Sequence, residues 1–108
     1  MKIEIFYFSG CPNRAPAVAR VREVLQQEGT DADLVEVEVA EPAAAERVGF
    51  LGSPSIRVNG QDIEPAAREA RGFGMMCRTY VDGDQRVGVP PPEWIRAALR
   101  AARGESRQ

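Results

Sequence analysis

Histidine is absent from this chain, cysteine occurs twice, and lysine once. Each scarcity closes a class of chemistry. With no histidine and only Cys11 and Cys77, one chain cannot assemble a Cys/His zinc site, which needs about four ligands. Nor can it hold an iron–sulfur cluster through four cysteines of its own. No apolar run approaches the length of a membrane span, and no signal-peptide pattern opens the sequence. We therefore expect a cytoplasmic protein with no membrane partner. The formal net charge is −2, so no basic field points toward nucleic acid. One lysine leaves thirteen arginines among the fourteen cations, which beside the many alanines reads as coding bias. In a reducing compartment, two cysteines point to redox, metal-binding or inert thiols before a permanent staple.

What is present describes an ordinary small domain. The 108 residues, 44% hydrophobic and 28% charged, suit one globular unit. A chain of this length buries roughly 60 to 70% of its unfolded surface and folds without staples. We expect a single domain over residues 1–103 and a frayed tail over 104–108. No internal repeat or linker interrupts it.

The segment 2–8, Lys-Ile-Glu-Ile-Phe-Tyr-Phe, is apolar on both faces except at Glu4 and reads as a central strand. Turn chemistry follows in Ser9-Gly10-Cys11-Pro12-Asn13-Arg14. The next helix carries Val18, Val21 and Leu25 as its inward stripe and closes at Gly29. Its start is ambiguous. With Asn13 as cap, Pro16 sits at the third helical position, where its missing N–H costs nothing. With Cys11 as cap, Pro12 takes the favoured first position and Pro16 kinks the helix.

Residues 34–39 alternate valine with glutamate, the mark of a half-exposed edge strand. A short helix over 41–48 follows, with Pro42 in its first turn. Residues 55–58 and 61–64 flank Asn59-Gly60, the pair that suits a two-residue hairpin turn. One or two helical turns are expected over 65–71, ended by Gly72. Residues 75–89 read as extended or irregular, with a turn at Asp82-Gly83. Met75 and Met76 read first as core gap-fillers, and Cys77 as either a buried core residue or a functional thiol. A last helix follows Pro90-Pro91-Pro92, with Ile95, Ala98, Leu99 and Ala102 on one face and Trp94 packing at its start. The strand–helix–strand opening implies parallel strands and a right-handed crossover.

Cys11 is the chemical focus. A thiol at a helix start meets free backbone N–H groups and the positive end of the helix dipole, which favour thiolate. Arg14 is a candidate partner for that thiolate or for an anionic substrate, and equally a solvated surface residue.

A strand ending in Gly10-Cys11-Pro12, a helix, an edge strand, and Gly52-Ser53-Pro54-Ser55 ahead of a hairpin resemble the thioredoxin superfamily. Cys11 and Pro54 lie 43 positions apart, similar to the family's separation of first active-site cysteine and cis-proline. The resemblance covers residues 1–64 and the last helix. It implies an α/β thioredoxin-like fold: a four-stranded mixed central sheet, helices on both faces, and an extra excursion at about 65–89. It also implies that Cys11 is the attacking thiolate and that Pro54 is cis beside it. The Ser53 backbone would pair with a bound substrate chain or glutathione, and Pro12 and Arg14 would border the substrate. The departures are as informative. Arg14 stands where a dithiol member has its second cysteine, so this is a single-cysteine C-P-x-R variant of monothiol type. Gly10 replaces the common tryptophan. Cys77, in the excursion, becomes the candidate resolving thiol; the intervening chain is long enough to return to Cys11.

Three functional classes follow. The first is a thiol–disulfide oxidoreductase acting on a disulfide-bearing protein or a small thiol such as glutathione, with no bound cofactor. The second is a soft-metal or metalloid binder for mercury, copper(I) or arsenic, using Cys11 and Cys77 as thiolate ligands. The third is a non-catalytic interaction module of the same fold. A monomer and a dimer, including one joined by an intermolecular disulfide, are both compatible with the sequence.

Overall fold

The structure is a computed structural model that describes residues 1–104; the expected tail falls, from 105 on, outside the described residues. Strand β1 (Lys2–Tyr7) is central, as its two apolar faces require. It pairs in parallel with β2 (Asp33–Glu38) and antiparallel with β3 (Ser55–Val58). The two-residue β4 (Gln61–Asp62) completes a mixed sheet in the order β2-β1-β3-β4. β2 is an edge strand, and Val35 on it is 39% exposed, consistent with one solvated side.

Period-2 alternation along β1 divides the core. Ile3 and Ile5 join Ile56, Val58 and Ile63 under helices α1 (Arg14–Glu28) and α3 (Pro92–Ala102). Phe6 faces the opposite way, into a smaller cluster with Val39, Phe50 and Ala45 of α2 (Pro42–Val48). Ile95 and Leu99 of α3 are wholly buried, and each contributes about 1.5–3 kcal/mol of apolar burial. In α1 the fully buried stripe is Ala17, Val21 and Val24, with Val18 and Leu25 on its flanks. The expected stripe is thus rotated toward the side that α3 covers. Glu28, at the end of α1, receives Arg96, Arg100 and Arg103 of the last helix and its cap at 3.1–3.3 Å, tying the two helices together. Arg57 of β3 donates to the carbonyls of Val48 and Gly49 at 2.7 and 3.0 Å, meeting acceptors that the end of α2 leaves orphaned.

Helix boundaries agree with the turn chemistry. Asn13 is the residue before α1, so Pro16 is the third helical residue and causes no kink. Gly29 and Gly49 close α1 and α2 in the left-handed conformation. Asn59 (φ 51°) and Gly60 (φ 85°) both have positive φ, as a type I′ hairpin turn demands.

Three expectations for the excursion need correction. The helical turns over 65–71 shrink to one 3-10 turn, Pro65–Ala67. Of the two readings of residues 75–89, the extended one holds over β5 (Tyr80–Asp82) and β6 (Gln85–Val87), which form a second hairpin. Its turn is Gly83-Asp84, one residue later than expected, because Asp82 pairs with Gln85. The hairpin escaped detection because only Tyr80 anchors it: Val81 is 49% exposed, and no apolar alternation marks a buried face. Met75, Met76 and Cys77 are also exposed, not core residues.

Candidate functional site

Beyond β1 the chain turns through Ser9 and Gly10, where Gly10 has φ 87°. The Cys11 N–H bonds to the Phe8 carbonyl at 3.2 Å, and the Cys11 carbonyl accepts from the Arg14 N–H at 3.4 Å. Cys11 is half-buried and precedes the Asn13 cap by two residues, so it sits in the turn leading into α1 and not in the helix itself. Pro12 is exposed beside it. The Asn13 side chain lies against Gly88, where a Cβ would overlap it. The chain leaving β6 therefore borders the Cys11 turn.

Arg14 has a defined local role. Its Nε pairs with Glu36 of β2 at 2.8 Å, and its guanidinium carbon stands 3.6 Å from the centre of the Tyr7 ring. That geometry fastens α1 to the edge of the sheet. A cation over an aromatic face adds about 0.5–1 kcal/mol at an exposed site.

Ser53 and Pro54 lie at the matching end of β3. Their peptide bond is cis, as the resemblance implied. Both residues are buried. The Phe8 N–H donates to the Ser53 hydroxyl at 3.4 Å, which joins the approach to β3 to the chain three residues before Cys11. The Ser53 backbone has partners of its own. Its N–H donates to the Met76 carbonyl at 2.8 Å, and its carbonyl accepts from the Arg78 N–H at 2.9 Å. These two bonds form a parallel bridge between Ser53 and Cys77. Three residues earlier on each of the two segments, the Gly74 N–H donates to the Phe50 carbonyl at 3.0 Å. Gly52 permits this approach: its φ is +114°, and a Cβ there would lie 2.9 Å from Arg78 Cβ and 3.0 Å from the Met76 carbonyl oxygen.

The chain after Cys77 is held from beneath by a buried ionic cluster. Arg78 is only 7% exposed. It grips Asp62 with two hydrogen bonds, Nη1 to Oδ2 at 2.7 Å and Nη2 to Oδ1 at 2.9 Å. It also donates to Glu64 at 2.9 Å and to the Ser55 hydroxyl at 3.0 Å. Its carbon lies 4.6 Å from the Tyr80 ring centre. Burial opposes the guanidinium's charge, yet the hydrogen bond to Asp62 and the neighbouring negative groups outweigh it and push its pKa up. The Tyr80 hydroxyl donates to the Pro54 carbonyl at 2.5 Å, and its ring meets Trp94 edge-on at 5.9 Å. Burial pushes the Tyr80 phenol well above its ordinary value, so it stays a neutral donor.

The sequence reading missed Arg78, Asp62, Glu64 and Tyr80. One signal was available: Asp62 pairs with Arg57 at a buried hairpin position, where a carboxylate needs a partner. Nothing local names that partner, which comes from 16 residues away.

The structure thus brings the segment carrying Cys77 to Ser53, whose hydroxyl meets the chain leading to Cys11. Both thiols are free of disulfide bonds. Among the described residues no group of three or more His, Cys, Asp or Glu side chains could hold a metal ion, and no helix is long and apolar enough to cross a membrane.

Fold and site define the class as a small α/β domain with a thiol in the turn after its central strand and a second thiol on a docked strand. The chain belongs to the family described as a domain of unknown function, DUF2703, which matches residues 14–99. That match takes in Ser53, Pro54 and Cys77 and begins three residues beyond Cys11. No curated protein and no solved structure matches the chain.

Proposed function

We propose that the chain is a thiol–disulfide oxidoreductase of thioredoxin-like design, with Cys11 as nucleophile and Cys77 as resolving thiol. The observation that carries this reading is the Ser53–Cys77 bridge. A strand 24 residues downstream of Ser53 brings the second thiol to the end of the sheet from which the Cys11 turn emerges. The strand order β2-β1-β3-β4 and the place of Pro54 support the architecture. Cys11, half-buried in the turn before α1, attacks one sulfur of an oxidised partner. A mixed disulfide forms and one thiolate leaves. Cys77 then displaces the second thiolate and closes an internal disulfide. A protein disulfide or a small one such as oxidised glutathione serves as the partner, and the reducing cytoplasm as the setting. Pro12, Ser53 and Pro54 border the reacting sulfur, and Arg14 steadies the start of α1. The test is a Cys77→Ser variant mixed with a model disulfide. A stable mixed disulfide at Cys11 by mass spectrometry is expected. Equal and negligible reaction by wild type and Cys11→Ser overturns the reading.

Met75 and Met76, exposed beside Cys77, favour a second reading. Thioethers and thiolates together suit mercury(II), copper(I) or arsenic(III). Titration with mercury(II) would then protect both thiols at one metal per chain; thiols that stay fully reactive exclude it.

A further inference from the structure

A polypeptide substrate that reaches a thiol at the end of a sheet gains affinity by pairing its backbone with an unpaired edge nearby. In this fold one edge at the Cys11 end of the sheet is the stretch leading into β3. On one side of that stretch the antiparallel pairing ends at Phe6 and Ser55, and the Phe8 N–H then meets the Ser53 hydroxyl. The other side would be covered if β4 were longer. However, β4 ends at Asp62 and the chain turns away at Pro65. Residues 50–53 would then present free N–H and C=O groups, open to strand addition.

The chain fills this edge itself. Residues 74–78 lie parallel along it through the bonds Gly74 N–H to Phe50, Ser53 N–H to Met76, and Arg78 N–H to Ser53. The strand is fastened by the Arg78 grip on Asp62, Glu64 and Ser55. Tyr80, two residues beyond Arg78, holds the Pro54 carbonyl. Gly52 is shaped to the strand's passage, with no room for a side chain. No backbone group of Ser53 is left for a second strand.

We infer that this built-in strand excludes extended polypeptides from the Cys11 site and restricts it to low-molecular-weight disulfides. The inference rests on the thiol–disulfide reading above and narrows its partner. The chemistry balances as P(SH)₂ + RSSR → P(S–S) + 2 RSH. Cys11 thiolate attacks one sulfur of RSSR and expels RS⁻. Cys77 thiolate then attacks the Cys11 sulfur of the mixed disulfide and expels the second RS⁻. The two protons lost by the cysteines pass to the two leaving thiolates, and the protein gives up two electrons. A low-molecular-weight thiol reduces it again by the reverse route.

The test compares two substrates that release the same chromophore. One is the small aromatic disulfide of nitrothiobenzoate. The other is an extended decapeptide whose central cysteine carries nitrothiobenzoate as a mixed disulfide. A peptide must displace at least two backbone hydrogen bonds, each worth roughly a factor of two to ten. Fully reduced wild type should therefore release chromophore from the small disulfide about tenfold faster or more, after correction for each substrate's rate with a simple thiol. Gly52→Ala drives a Cβ into the segment and should narrow that ratio by raising the peptide rate, both rates being read from the first chromophore released, a step that needs Cys11 alone. Should that variant fail to fold, Asp62→Asn loosens the same strand from beneath and should narrow the ratio likewise. Equal corrected rates in wild type overturn the inference and leave the oxidoreductase reading standing. An unchanged ratio in a folded variant whose Arg78 amide exchanges freely with solvent also overturns it. Failure of both substrates to react at Cys11 overturns the oxidoreductase reading itself.

Discussion

Replacing Asp62 by alanine tests the buried ionic cluster most directly. Asp62 and Arg78 are each 7% exposed at their side chains, so neither charge has much water to fall back on. The substitution deletes two charge-assisted hydrogen bonds of 2.7 and 2.9 Å and leaves Arg78 buried. Breaking such a pair from one side costs about 3–5 kcal/mol, since the remaining charge is uncompensated. Glu64 stays within 2.9 Å of Arg78 and is 31% exposed, so part of the charge remains matched. The lower end, about 3 kcal/mol, is therefore expected. For a domain of this size that lowers Tm by about 12 °C. Urea unfolding at neutral pH measures it, with an unchanged m-value as the check that the unfolded state is comparable. Burial also shields the pair from salt, so raising ionic strength should leave the loss nearly constant. The double variant Asp62→Ala with Arg78→Met removes the orphaned charge and restores apolar volume. It should be more stable than Asp62→Ala alone. A loss below about 1 kcal/mol, or a double variant less stable than the single, refutes the reasoning.

Two further outcomes follow from local geometry. Gly60→Ala places a Cβ on a residue with φ 85° in the β3–β4 turn and should cost about 1–2 kcal/mol in the same urea assay. Because Asn59 also bonds Lys2 across the sheet, loss of native register in the variant's amide spectrum should begin at that turn. Glu28 is held below the usual carboxylate value of 4.5, first by its hydrogen bond from Arg100, with Arg103 adding to it. The folded state thus binds its proton less readily than the unfolded state. Its contribution is present above pH 4.5 and fades as pH falls below that value. Wild-type Tm should therefore fall more steeply than that of Glu28→Gln on acidification from pH 4.5 downward; parallel curves would contradict this.

Where residues decide their own conformation, the sequence was readable. Ile3, Ile5 and Phe6 placed β1 at the centre of a sheet because both faces of the segment needed burial. Asn59 and Gly60 named their hairpin because few other pairs accept two positive φ values. Pro16 was compatible with a straight α1 only if Asn13 was the cap, and the structure has that arrangement. The excursion was opaque for the opposite reason. Its backbone bonds go to Phe50 and Ser53, and its one buried charge goes to Asp62. No local pattern records a partner that far along the chain. Met75 and Met76 looked like core residues by type, yet the segment they lie on is a surface layer and leaves them exposed.

The sequence by itself determined which chemistry was available: two thiols, no imidazole, and a cysteine in the turn after a central strand. It also determined the strand–helix order, because hydrophobic period and turn residues act over short stretches. Only the tertiary structure decided where Cys77 lies and what covers Ser53. That outcome depends on a short β4 leaving an edge open, on Gly52 allowing a backbone to pass, and on Arg78 finding two carboxylates beneath it. Each is a long-range contact, formed only when the whole sheet is in place.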